Sequence, residues 1–224
     1  NYDMFKNHLK VAYRNLVRDK SFSALNILGL TIGITASVLI FRYVDFERSY
    51  DSSHTKAKRI YRLVADMHKG EVLKTTLTNP PLGPELKANL SEVIDFTRLI
   101  LPWSGLAASS TLSWQNHDGD VIKQSFQWGI YTDPGFFRLF SFPMIRGDRK
   151  TALSGANKIV LTGSSARKIF GNNWEKNENI IGQTLEYVNE FDRFNLTITG
   201  IIEDAPENSH FQYDFLASFS TLST

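Results

Sequence analysis

From Phe22 to Val44 the chain reads FSALNILGLTIGITASVLIFRYV, apolar apart from Asn26, scattered Ser and Thr, and Arg42 near its end. As a helix rising about 1.5 Å per residue it reaches roughly 34 Å, enough to cross a hydrocarbon core of about 30 Å with some tilt. Asn26 and Arg42 fall where a polar head reaches the interface, and Tyr43 suits the headgroup belt. Just before it, Met4 to Arg18 is helical in period. Phe5, Leu9, Ala12, Tyr13 and Leu16 share one stripe, and Lys6, Lys10, Arg14 and Arg18, spaced by fours, form a second beside it. That predicts an interfacial helix, apolar face in the headgroup region and basic row toward anionic lipid or an acidic partner, with Asp19 to Ser23 turning the chain into the span. The division is residues 1–21 interfacial, 22–44 transmembrane and 45–224 beyond the membrane.

After the span the period changes to alternation. Tyr61, Leu63, Ala65 and Met67 line a strand, His68 to Glu71 with Gly70 is a turn, and Val72 to Thr78 returns. Pro80 and Pro81 open a helix carrying Leu82, Leu86, Leu90 and Val93, and Ile94 to Leu101 reads as a strand. Leu106 to Gln115 and Val121 to Tyr131 flank the turn signal Asn116-His117-Asp118-Gly119, with Ile122, Phe126, Trp128 and Ile130 alternating inward. Asp133 is the expected cap of a short helix ending at Phe140, and Lys158 to Thr162 is a strand. Ser164 or Ser165 caps a helix closed by Gly171, and Asn172 to Asn179 is a polar surface loop. Ile181 to Val188 and Phe194 to Ile202 pair, and after a loop around Pro206, Phe211 to Phe219 is the last strand. The class is α+β, and the length of 45–224 leaves room for two subdomains.

Charge orients the span. Lys6, Lys10, Arg14, Arg18 and Lys20 oppose only Asp3 and Asp19 before it, whereas Asp45, Glu47 and Asp51 follow with Arg48 alone. By the positive-inside rule the N-terminus is cytoplasmic and residues 45–224 are extracytoplasmic. A cleaved signal peptide fits poorly, because the charged leader exceeds about 20 residues and the apolar run exceeds about 15. The formal net charge of +2 sums +3 on residues 1–20, +1 from Arg42 and −2 on 45–224, so the isoelectric point of about 8.7 does not argue for nucleic acid. Without Cys there is neither a disulfide framework nor a thiol nucleophile. On the span, Gly29, Gly33 and Ser37 recur every fourth residue, a small-side-chain face along which a second helix backbone can approach.

Candidate chemistry is sparse. His8, His54, His68, His117 and His210 share no ligand spacing and read as surface or capping residues. No phosphate-binding loop occurs, so the chain is not expected to hydrolyse nucleotide itself. Ser164 and Ser165 after Gly163 do not complete a nucleophile elbow, and Glu203, Asp204 and Glu207 read as a solvated loop rather than a cation site. No catalytic residue, cofactor or metal is expected.

Several strings in one order resemble the N-terminal part of MacB/FtsX-type ABC transporter permeases: Phe5 to Gly33, FERSYDSSHTKAKRIYRL (Phe46 to Leu63), TDPGFFRLFSFPMIRGD (Thr132 to Asp148), ALSGANKIVLTGSSARKIFG (Ala152 to Gly171), IIGQTL (Ile180 to Leu185) and ITGIIEDAPENSHFQYDFLAS (Ile198 to Ser218). The Asn172 to Asn179 loop is longer than the family pattern, and the chain stops at Thr224, before the further membrane helices of such permeases. The resemblance implies a non-catalytic permease subunit of the bacterial inner membrane, with a MacB-like periplasmic core domain. It further implies a cytoplasmic ABC ATPase on a separate chain and a second permease unit in a dimer or pseudo-dimer. Partner proteins of the periplasm or outer membrane belong to the same picture, with efflux or mechanotransmission as the output and no nucleic acid partner. A ligand-sensing domain of a membrane-anchored receptor is the alternative reading.

Overall fold

The computed structural model describes residues 2–69, 71–101, 109–116 and 118–223. The predicted positions Gly70, Leu106 and His117 lie outside them, as does the side chain of Leu9. The chain divides into two units, Asn1–Tyr50 and Asp51–Thr224.

In the first unit, α1 spans Tyr2–Arg18 and α2 spans Lys20–Arg48. Asp19 alone separates them, so the expected turn over Asp19 to Ser23 is shorter: the Ser23 N–H already donates to the Asp19 carbonyl at 2.9 Å. Helix α2 outruns the apolar stretch at both ends, giving 29 residues or about 44 Å. Its polar ends are Lys20 and Asp45–Arg48, while Phe22, Leu25, Leu30, Leu39 and Phe41 stand exposed along its apolar middle. Among the described residues this is one helix long and apolar enough to cross a membrane.

The second unit holds a two-stranded hairpin, β1 (Ala65–Lys69) with β2 (Glu71–Thr75), and a nine-stranded mixed sheet. The remaining strands are β3 (Leu99–Ile100), β4 (Ser110–Gln115), β5 (Val121–Phe126), β6 (Gly129–Thr132), β7 (Met144–Gly147), β8 (Lys158–Thr162), β9 (Thr184–Val188), β10 (Arg193–Ile202) and β11 (Phe215–Ser218). Their order is β3-β6-β11-β8-β10-β9-β4-β5, and β7 pairs with the far half of β10. The β8–β10 and β6–β11 pairs are parallel and the others antiparallel. Helix α3 is Leu82–Asn89, α4 Phe136–Leu139 and α5 Gly163–Phe170.

Period-two alternation sends the side chains of the central strands to both faces of the large sheet. Successive residues of β8, Ile159, Val160 and Leu161, go to opposite faces, as do Phe215, Leu216 and Ala217 of β11. One cluster gathers Ile159, Leu161, Phe215, Tyr187 and Leu196 under α5. The other gathers Val160, Leu216 and Ile202 under Phe136, Phe140 and Phe142. A sheet buried on both faces needs apolar residues at consecutive positions, which is what its central strands carry.

Several local expectations shift. Strand β1 starts at Ala65, four residues later than Tyr61, and α3 ends before Leu90 and Val93. The final strand is trimmed to Phe215–Ser218. Inward alternation from Ile122 to Ile130 fails at Trp128, which is 42% exposed, because the chain steps from β5 at the sheet edge to β6 deep inside. The N–H groups of Gln127 and Trp128 donate there to the Asp214 carboxylate at 3.2 and 3.1 Å. The Asn172 to Asn179 stretch is not wholly a surface loop: 3-10 turns at Trp174–Lys176 and Glu178–Ile180 bring Trp174 and Ile180 into the core.

Candidate functional site

The basic row Lys6, Lys10, Arg14 and Arg18 is exposed on α1. On α2, a Cβ added at Gly29 or Gly33 would meet no atom within 4 Å, and the Ser37 hydroxyl donates back to the Gly33 carbonyl at 2.9 Å. These small residues therefore keep their helix hydrogen-bonded and one side low, and among the described residues nothing packs on Gly29 or Gly33.

The polar groups around α4 and α5 act as scaffold, with partners other than those expected. Helix α5 is capped by Thr162, not by Ser164 or Ser165: Thr162 is extended and its Oγ1 accepts from the Ser165 N–H at 3.1 Å. Ser165 sends its hydroxyl to the Asp214 carbonyl at 2.7 Å, and Ser164 gives its N–H and hydroxyl to the Asp204 carboxylate at 3.1 and 2.8 Å. Asp204 thus serves the helix start rather than a cation. Asp133 does not cap α4, whose N-cap is Gly135; its carboxylate receives Nη2 and Nε of Arg98 at 2.7 and 2.8 Å. Among the described residues no group of three acidic or His side chains could hold a metal ion.

What the structure brings together is the segment that follows α2. Asp51 has φ of +51°, a left-handed conformation that Asp tolerates better than most residues. Its N–H donates to the Asn208 carbonyl at 3.0 Å. Its carboxylate accepts from the Ser209 hydroxyl at 2.9 Å and the His210 N–H at 3.2 Å, and meets His210 Nδ1 at 2.7 Å. Burial acts to raise the Asp51 pKa, but these bonds from His210 and Ser209 outweigh it and hold it below the usual carboxylate value.

Three residues on, His54 is only 6% exposed, so it is neither a surface nor a capping residue. Its ring lies 4.8 Å from Phe142 and 5.2 Å from Phe140, and Nδ1 accepts the Ser141 N–H at 3.2 Å. Thr55 N–H donates to Ser141 Oγ at 3.1 Å, and Lys56 Nζ to the Arg138 carbonyl at 2.7 Å. Ile60 completes the attachment by packing on the Phe136 cluster. Only Ser49 and Tyr50 lie between the end of α2 and this run of attachments. No spacing rule signalled it, since Asp51 and His54 meet partners far along the chain.

A membrane-length helix continued directly into an α+β domain is the architecture of a membrane-anchored extracytoplasmic module. The chain belongs to the MacB-like periplasmic core domain family, whose model matches residues 23–224, and it is accordingly part of a MacB/FtsX-type ABC permease. Among solved structures, a domain described as a permease protein of Porphyromonas gingivalis is similar at 22% identity and a TM-score of 0.51, over 67% of this chain and 56% of that one. That likeness shows a shared fold. The periplasmic region of MacB from Actinobacillus actinomycetemcomitans is 16% identical with a TM-score of 0.37, over 62% of this chain and 54% of that one. The extracellular domain of the noncanonic ABC-type transporter YknZ from Gram-positive bacteria is 12% identical with a TM-score of 0.36, over 52% and 54%. The chain spans a little over half the length of each of these solved chains. No curated protein matches it.

Proposed function

We propose that the chain works as a force-transmitting part of a permease subunit: a separate cytoplasmic ABC ATPase hydrolyses ATP, membrane helices shift, and the extracytoplasmic domain moves with them. The observation that carries this reading is the attachment of Asp51, His54, Thr55, Lys56 and Ile60 to the domain immediately after a membrane-length helix. A tether meant only to hold a domain near a membrane needs slack; a transmitter needs none. Family membership supports the ABC setting.

In this reading Gly29, Gly33 and Ser37 pack against another membrane helix, close backbone approach making the pair stiff. Lys6, Lys10, Arg14 and Arg18 hold α1 on the anionic cytoplasmic surface of the bacterial inner membrane. Two permease units act together on compounds or partner proteins of the periplasm or outer membrane, and the chain itself performs no catalysis. The test is a distance measurement between spin labels at the exposed Lys123 of two units, in the full-length permease with its ATPase in lipid. Addition of ATP and Mg²⁺ is expected to change the distance distribution. An unchanged distribution during measured hydrolysis overturns the reading.

A further inference from the structure

Of the attachments after α2, one depends on a protonation state. His54 Nδ1 accepts a hydrogen bond from a backbone N–H, so in the folded protein that nitrogen carries a lone pair and no proton. The ring proton sits on Nε2, which is buried without a hydrogen-bond partner among the described residues. Protonation at Nδ1 would point N–H at N–H, abolish the bond to Ser141 and enclose a cation beside the Phe140 and Phe142 rings.

We propose that His54 is an acid-released latch: as the neutral imidazole it holds the segment after the membrane helix against the extracytoplasmic core, and as the cation it leaves its site.

The charged and titratable groups on the elements around it are few. On its own segment Asp51 acts through space to favour the cation, and Lys56 is engaged with the Arg138 carbonyl. On and after α4, Arg138 is paired with Asp95, and Arg149 donates to the carbonyls of Phe137, Phe140 and Phe142. In the loop beyond β10, His210 faces the Asp51 carboxylate. Burial prevails over Asp51 and keeps the His54 pKa below 6.5. A group depressed in the folded state contributes stability above its ordinary pKa and loses it as pH falls through that value toward the lowered one. The latch is therefore closed at pH 7 to 8 and opens in mild acid, about tenfold more per pH unit while one proton is taken up on opening. Asp51, held below the usual carboxylate value by its hydrogen bonds, stays ionised in mild acid. Acid thus frees the His54 side of the segment while leaving the Asp51 side tied.

The consequence for transmission rests on the function proposed above, but the latch itself is measured separately. In the full chain in lipid nanodiscs, amide exchange protection at Ser141 and Thr55, corrected for intrinsic rates, is expected to fall about tenfold per pH unit in mild acid. His54→Gln, whose side-chain oxygen can accept the same bond without titrating, is expected to remove that dependence, and His210→Asn to keep it. Acid-independent protection in the wild type, or an acid loss that survives His54→Gln, overturns the proposal. Nitrogen-labelled histidine in the wild type gives an independent reading: a lone pair on His54 Nδ1 at neutral pH supports the latch, and a protonated Nδ1 there overturns it.

Discussion

Across 158 residues of chain, the Ser209 hydroxyl donates to the Asp51 carboxylate at 2.9 Å, joining the first residue of the second unit to the loop between its last two strands. With the two further contacts from His210, this ties the first residue of the second unit into its own fold. Asp51→Ala removes the acceptor and leaves Ala in a left-handed conformation it resists. It is expected to destabilise the domain by about 1 to 3 kcal/mol, Asp51→Asn by less since Asn suits that conformation, as read from thermal unfolding.

The cluster of Asp95 with Arg138 and Lys87 gives a pH dependence of defined sign. Burial acts to raise the Asp95 pKa, but hydrogen bonds from Arg138, Lys87 and the Phe96 N–H hold it down to about 2 from 3.8. Its stabilising contribution is therefore complete above 3.8 and lost as pH falls toward 2. Denaturant midpoints measured across that range are expected to fall more steeply for the wild type than for Asp95→Asn. Parallel curves would remove Asp95 from the account of acid sensitivity.

Two glycines with the same backbone sign separate conformation from space. Gly147 (φ +95°) faces Gly200 in the β7–β10 ladder, where an added Cβ would lie 2.4 Å from the Thr199 carbonyl oxygen; Gly182 (φ +92°) has nothing within 4 Å. Gly182→Ala is expected to cost about 1 kcal/mol from conformation alone, and Gly147→Ala several times that, because the ladder must part. Equal unfolding midpoints would show that the sheet yields freely there.

For the membrane helix, Gly33→Leu fills the low face while leaving the helix apolar, whereas Leu39→Ile alters a bulky position. In the full-length permease with its ATPase, the first is expected to lower ATP-dependent output at matched membrane expression and the second to change it little. Equal outputs would make that face lipid-exposed.

Topology is checked with single cysteines, to which this Cys-free chain is suited. A Cys at Asn116 is expected to react with an impermeant reagent from outside the cell membrane, and one at Asn7 only from the cytoplasm. Labelling of both from one side would reverse the orientation drawn from Lys6 to Lys20.

The sequence by itself determined what depends on periodicity over neighbouring residues. The basic and apolar stripes of α1, the apolar run of α2, the pairing of β9 with β10, and β8 at Lys158–Thr162 all follow from side chains within a turn or a strand of one another. Cap and burial assignments followed less well. Thr162 took the cap expected of Ser164 or Ser165, Asp133 went to Arg98, and Trp174 entered the core from a stretch that reads as polar. Asp133 is drawn to Arg98, 35 residues back, and the two serines to Asp204 and Asp214, 40 and 49 residues on, which leaves the cap to Thr162. The attachment after α2 is the extreme case. Asp51 and His54 look like ordinary polar residues of a loop until the Phe140 to Phe142 stretch after α4 and the loop before β11 are folded around them. Short-range order is set by sterics and hydrophobic period along the chain, whereas the protonation state a histidine must hold is set by what surrounds it, and only the tertiary structure supplies Ser141 and the two phenylalanine rings.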